Sequence, residues 1–146
     1  MPIRCEIVSQ DRMVYEGDVD IVIVPGVEVE MGILPKHAPL LSTLKLGILR
    51  VRSQGQEEIF TVAGGVVEVQ PDLVTVLADA AENVEEIDIA RAEAAKARAE
   101  ELLQMGPPPD TDQYLAIEAA LRRSHLRLEA AQRYRRGIRI PPSGSE

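Results

Sequence analysis

Twelve residues constrain this chain more than any others: Glu30-Met31-Gly32-Ile33-Leu34-Pro35-Lys36-His37-Ala38-Pro39-Leu40-Leu41. The two prolines rule out a regular helix there, and each pushes its predecessor toward extended geometry. Gly32 permits a tight turn. The stretch is too apolar for a tail. It reads as a structured loop that presents Glu30 and His37 at an edge of a domain.

The chain around it changes character once. Ile3, Cys5 and Ile7 alternate with Arg4 and Glu6, the period of a half-buried strand. Met13-Val14-Tyr15 resumes a strand, Glu16-Gly17-Asp18 reads as a turn, and Val19 to Val24 is a β-branched strand stopped by Pro25-Gly26. Leu44–Arg52 and Glu58–Val62 flank Ser53-Gln54-Gly55-Gln56 as a hairpin. Gly64-Gly65 reads as a break, after which Val66–Gln70 and Leu73–Leu77 are joined through Pro71-Asp72. At least seven short strands are thus expected, and with no helical crossover among them, parallel pairing is not expected.

After residue 80 the pattern turns helical. Asn83-Val84-Glu85-Glu86 has the form of a capping box. Ala90–Gln104 is rich in strong helix formers, and Gly106-Pro107-Pro108-Pro109 ends that helix. Asp110 and Gln113 form a second capping pair. A second helix is expected to about Arg136, with Tyr114, Ile117, Leu121, Ser124, Leu128 and Ala131 on one stripe. Gly137 is its expected C-cap, and the end of the chain is expected to fray. The fold class is α+β: an all-β sandwich over 1–83, a two-helix hairpin over 84–137, and a flexible tail over 138–146.

Composition excludes several functions. Only 3% of residues are aromatic and the net charge is -8, which argues against stacked single strands and against phosphate backbones, so no nucleic acid is expected. Cys5 is the single cysteine and suggests no oxidising compartment. No signal peptide and no membrane span are read from the sequence. Charge is segregated: from Ala120 onward seven arginines face two acids, leaving residues 1–119 at -13 against +5. Such a basic end suits an acidic partner, or a fold-back onto the chain's own acidic part. His37 and His125, the only histidines, sit in no metal-ligand spacing, and Gly64-Gly65 lacks the pattern of a phosphate loop. No catalytic residue and no metal site are expected.

The twelve-residue loop resembles the signature loop of the epsilon-subunit family of F-type ATP synthases. Gly64-Gly65-x-x-Glu68-Val69, Val74-Thr75-Val76-Leu77-Ala78-Asp79 and Ile87-Asp88-Ile89-Ala90-Arg91-Ala92 are similar to further family segments, in order, between about residues 3 and 136. The resemblance implies a non-catalytic rotor subunit of the central stalk, without a resident cofactor. Its β domain would bind the gamma subunit and sit on the ring of c subunits, helping to couple proton-driven rotation to ATP synthesis. It would lie at the cytoplasmic face of the cell membrane, held there only through the complex. Family contacts to the ring map onto Glu30 and His37. Without the resemblance, Glu30 reads as a solvated acid and His37 as a turn cap. Val29 and Lys36 stand where the family commonly has glycine.

Some bacterial members of the family bind ATP as a regulatory ligand on the hairpin. That implies Glu82, Asp88, Arg91, Ala92, Arg123 and Arg127 as ATP-binding residues here, with Ala92 leaving room for the base. The resemblance further implies a switch in which the hairpin folds down or extends along gamma to inhibit hydrolysis. Arg122, Arg123, Arg127, Arg133, Arg135 and Arg136 would then meet an acidic segment of the beta subunit. Without the resemblance, Asp88–Arg91 is a surface ion pair and the arginines a solvated face. The alternative reading is a free-standing nucleotide-sensing adaptor with no rotor partner.

Overall fold

A computed structural model describes residues 2–106 and 110–135. The chain divides into two compact units between Asn83 and Val84.

The first unit holds eight strands among the described residues: β1 (Ile3–Val8), β2 (Met13–Val19), β3 (Ile21–Pro25), β4 (Glu30–Ile33), β5 (Leu40–Ser53), β6 (Gln56–Gln70), β7 (Leu73–Ala78) and β8 (Ala81–Asn83). They form one continuous sheet in the order β2-β1-β7-β6-β5-β3-β4, with β8 added to β6. The two long strands belong to both layers of the sandwich. Residues 65–70 of β6 pair with β7, whereas residues 60–62 pair with β8. The switch falls at Gly64 and Gly65, both at positive φ (91 and 133). A Cβ on Gly65 would lie 2.2 Å from Leu77 O, so only glycine lets β6 cross there against β7.

Alternation fills the space between the layers. Ile3, Cys5 and Ile7 of β1, Val67 and Val69 of β6, and Val74 and Val76 of β7 point inward with Val22, Val24, Ile33, Leu49 and Phe60. Tyr15 meets Phe60 edge to face, with ring centroids 5.7 Å apart, the arrangement that aromatic quadrupoles favour. The core is thus almost purely aliphatic.

Four local expectations are corrected. Gly64-Gly65 is a bend within β6 rather than a break. Glu16-Gly17-Asp18 is not a turn: β2 runs on to Val19 because Glu16 and Asp18 sit on its outer face beside Arg4 of β1. Glu30–Ile33 and Leu40–Leu41 are strand, which leaves only 34–39 as loop. Finally, β1 and β7 pair in parallel, Arg4 opposite Leu73 through Val8 opposite Leu77. The connection between them is the remainder of the sandwich, so no helix is required.

The second unit opens with a 3-10 turn (Val84–Glu86), then α1 (Ile89–Gln104) and α2 (Thr111–Tyr134). The capping box expected at Asn83 is not the start of α1. Asp88 is the N-cap, extended at φ -83 and ψ 100, and its side chain accepts Arg91 N–H at 3.0 Å. Ile87 before it and Ala92 after it are buried, the two positions of a hydrophobic staple. Asp110 caps α2 by accepting Asp112 N–H at 2.9 Å. Arg135, just past the end of α2, bonds to Val84 O just before α1, so the helices run antiparallel. Their buried residues are small: Ala92 and Ala99 on α1, Ser124, Ala130 and Ala131 on α2. At about 1.5 Å per residue the helices are roughly 24 and 36 Å long. Gly137 and the tail 138–146 lie outside the described residues.

Candidate functional site: an open sheet face, a loop and a basic helix flank

The outer face of the first layer carries a row that sequence reading missed. Met13 pairs with Val8, Val8 with Leu77, and Leu77 with Val66. Directly opposed residues share a face, so these four side chains form one apolar band across four strands. It is open to solvent: Met13 is 46% and Leu77 54% exposed, and Leu41 nearby on β5 is 71% exposed. The adjacent row is acidic, with Glu16 opposite Glu6 on β1 and Glu68 opposite Thr75 on β7. The signal was absent from the sequence because each strand contributes only one residue to the band. Register alone aligns them.

Glu30 starts β4 opposite Pro25 and forms an ion pair with Arg50 at 3.4 Å. His37 lies in the loop after β4, where its Nδ1 is 2.6 Å from Ala38 O and its N–H donates to Leu34 O at 3.2 Å. Lys36 N–H reaches Pro71 O at 2.8 Å, which anchors the loop to the β6–β7 turn. Lys36 adopts φ 65, the left-handed geometry that glycine would accept freely. Glu30 and His37 therefore belong to one unit but have different partners.

The hairpin residues divide further. A groove is lined by Glu93, Lys96, Ala97 and Glu100 of α1 and by His125, Leu128, Glu129 and Gln132 of α2. With about 100° between successive residues, Arg91, Arg98, Arg123 and Arg127 fall on the opposite flank of the Ala92/Ala99 and Ser124/Ala131 stripes. The hairpin thus has an acidic flank and a basic one. The same groove aligns 93–100 with 125–132, so Arg127 lies abreast of Arg98 and roughly 10 Å along the axis from Arg91.

Two ATP-site expectations meet a structural competitor. Ala92 is fully buried rather than open to a base, because it belongs to the inner stripe of α1. Asp88 is the N-cap, and its carboxylate already holds Arg91 N–H. Glu82 lies on β8 opposite Thr61, in the other unit. Arg122 and Arg123 are exposed, and Arg133 stacks over the Tyr134 ring at 5.7 Å. Arg135 is committed to main-chain carbonyls. Arg136 lies outside the described residues. Among the described residues no three His, Cys, Asp or Glu side chains are grouped to hold a metal, and no helix is long and apolar enough to cross a membrane.

These features define a β-sandwich followed by a helical hairpin. Comparison with known proteins matches residues 2–84 to the β-sandwich domain of the ATP synthase delta/epsilon chain, and residues 85–132 to the long α-helix domain of that chain. The ATP synthase epsilon chain of Halalkalibacterium halodurans is 45% identical over 131 residues, covering 90% of this chain and 98% of its own. That of Dehalococcoides mccartyi is 44% identical over 140 residues, covering 92% and 95%. A chain in the cryo-EM structure of the Euglena gracilis mitochondrial ATP synthase (OSCP/F1/c-ring) superposes with a TM-score of 0.74 at 27% identity, covering 90% of this chain and 82% of that one. A chain of the Tetrahymena thermophila central stalk and c-ring shares the fold, with a TM-score of 0.59 at 14% identity. The chain belongs to the delta/epsilon family of ATP synthase chains, as a non-catalytic member of the epsilon type.

Proposed function

We propose that this protein is a central-stalk rotor subunit of a bacterial F-type ATP synthase that helps couple proton-driven rotation to ATP synthesis. The carrying observation is the open Met13-Val8-Leu77-Val66 band on a rigid sheet. An exposed apolar row rimmed by acids fits a partner that is apolar at its centre and basic at its edge. That partner is the gamma subunit. Glu30 and His37 meet the polar surface of the c ring, Glu30 braced by Arg50. The subunit is peripheral, on the cytoplasmic face of the cell membrane, and is held there by the ring. Co-purification with a gamma-like chain is the expected result; recovery of this protein alone from cells that assemble the synthase would contradict it.

The hairpin is the regulatory part. Arg91, Arg123 and Arg127 share a flank on which guanidinium groups can fork onto phosphate oxygens. ATP held there, with Asp88 accepting from base or ribose, favours the closed hairpin. The burial of Ala92 requires the base to lie outside the inner stripe. A ligand at 100 times its Kd adds about 2.7 kcal/mol to the state that binds it. A hairpin whose buried stripe is mostly alanine is sensitive to that amount. Opened, α2 extends along gamma and its arginines meet an acidic segment of the beta subunit, which inhibits hydrolysis. Titration calorimetry with ATP should give heat that disappears in Arg91→Ala and Arg123→Ala; no heat with the unaltered protein would dispose of the nucleotide site. Truncation after Asn83 should raise hydrolysis by the assembled complex, and an unchanged rate would remove the inhibitory role.

A further inference from the structure

Arg135 makes a contact that the reading above does not use. It follows α2 in extended geometry, at φ -71 and ψ 128. Its Nε donates to Val84 O at 3.1 Å, and its Nη2 donates to the same oxygen at 2.7 Å and to Ile87 O. Val84 O also receives Ile87 N–H at 3.5 Å, which closes the 3-10 turn. Val84 and Ile87 are buried, and the guanidinium itself is partly buried. One planar fork therefore satisfies two carbonyls of the irregular segment that leads into α1.

We propose that Arg135 is a latch that fastens the end of α2 to the Val84–Ile87 segment and sets how readily the hairpin opens. Three features carry it. The contact joins residues 48 and 51 positions apart in sequence, so it closes the open end of the hairpin. It is charge-assisted and partly shielded, so it is stronger than a neutral surface hydrogen bond. Its acceptors are nevertheless uncharged, so paired carboxylates can compete for the same guanidinium. Arg135 cannot hold the latch and an acidic partner at once. That last consequence rests on the inhibitory reading proposed above, whereas the latch does not.

Hydrogen–deuterium exchange on the full-length protein tests it, comparing the unaltered chain with Arg135→Ala, Arg135→Lys and Arg133→Ala. Amides in the last turn of α2 should exchange about tenfold or more faster in Arg135→Ala, with the β unit unchanged. Arg135→Lys should lose most of the protection as well, because one ammonium does not reproduce a fork across two carbonyls. Arg133→Ala should behave as the unaltered protein. Full protection in Arg135→Ala would overturn the latch. So would full protection in Arg135→Lys, or an equal loss in Arg133→Ala, since either would reduce the effect to charge at a helix end. If truncation after Asn83 left hydrolysis unchanged, the inhibitory reading would fail while the exchange result still decided the latch.

Discussion

At the scale of single residues, glycines with positive φ divide into two kinds. A Cβ on Gly65 would meet Leu77 O at 2.2 Å and Ala78 Cα at 2.8 Å, whereas one on Gly55 would meet nothing within 4 Å. Gly65→Ala should therefore cost about 3 kcal/mol or more in chemical denaturation, and Gly55→Ala only about 1 kcal/mol from backbone strain. Equal costs would mean that β6 does not need its close crossing. Lys36 is the opposite case, an ordinary side chain at φ 65. Lys36→Gly should stabilise by about 0.5–1 kcal/mol, the relief of left-handed strain less the added freedom of the unfolded chain. Cys5 supplies a pH dependence. Burial, with a smaller effect of Glu6, pushes its thiol from 9.0 up to about 12. The unfolded chain releases this proton first, so stability should be full below pH 9.0 and fall as pH rises toward about 12. Tyr15, also raised by burial, acts in the same direction above pH 10.0. Thiol reagents should leave native Cys5 untouched at pH 8 and label it on denaturation.

At the scale of elements, what the sequence disclosed depended on whether the signal was local. The hairpin turn at Gln54-Gly55, the turn at Pro71-Asp72 and the end of α1 ahead of Gly106 were legible because Gly and Pro act on the backbone at their own positions. The parallel pairing of β1 with β7 was not, because it joins strands more than sixty residues apart and no short pattern encodes it. The apolar band was hidden for the same reason. The start of α1 was misread because two acceptors competed. Asn83 offered a capping box, but Asp88 sits between the staple residues Ile87 and Ala92 and holds Arg91 N–H. Asp88→Ala should cost about 1 kcal/mol and fray the first turn, while Asp88→Asn should keep the cap. If ATP binding is then lost in Asp88→Asn with the helix intact, the carboxylate serves the ligand. If binding persists, its role is the cap alone. The basic residues of the hairpin were readable as a set, but not their division. Arg135 fastens main-chain carbonyls, Arg133 lies over Tyr134, and Arg91, Arg123 and Arg127 share a flank opposite the Glu93–Glu129 groove.

At the scale of the whole molecule, the two units differ in what holds them. The β unit encloses a core of Ile, Val, Leu and Phe60, whereas the buried residues of the helices are alanines and Ser124. Each large buried side chain contributes about 1.5–3 kcal/mol and an alanine much less. The β unit is therefore suited to bear load, and the hairpin to change state. On this view the open band is the site through which the rotor holds this subunit. The most direct measurement is the affinity of the full-length protein for isolated gamma subunit, compared with Leu77→Asp. Leu77 is 54% exposed, so the substitution should leave the denaturation midpoint within about 0.5 kcal/mol. Binding should weaken at least tenfold, about 1.4 kcal/mol. Unchanged affinity in a folded Leu77→Asp variant would contradict the account.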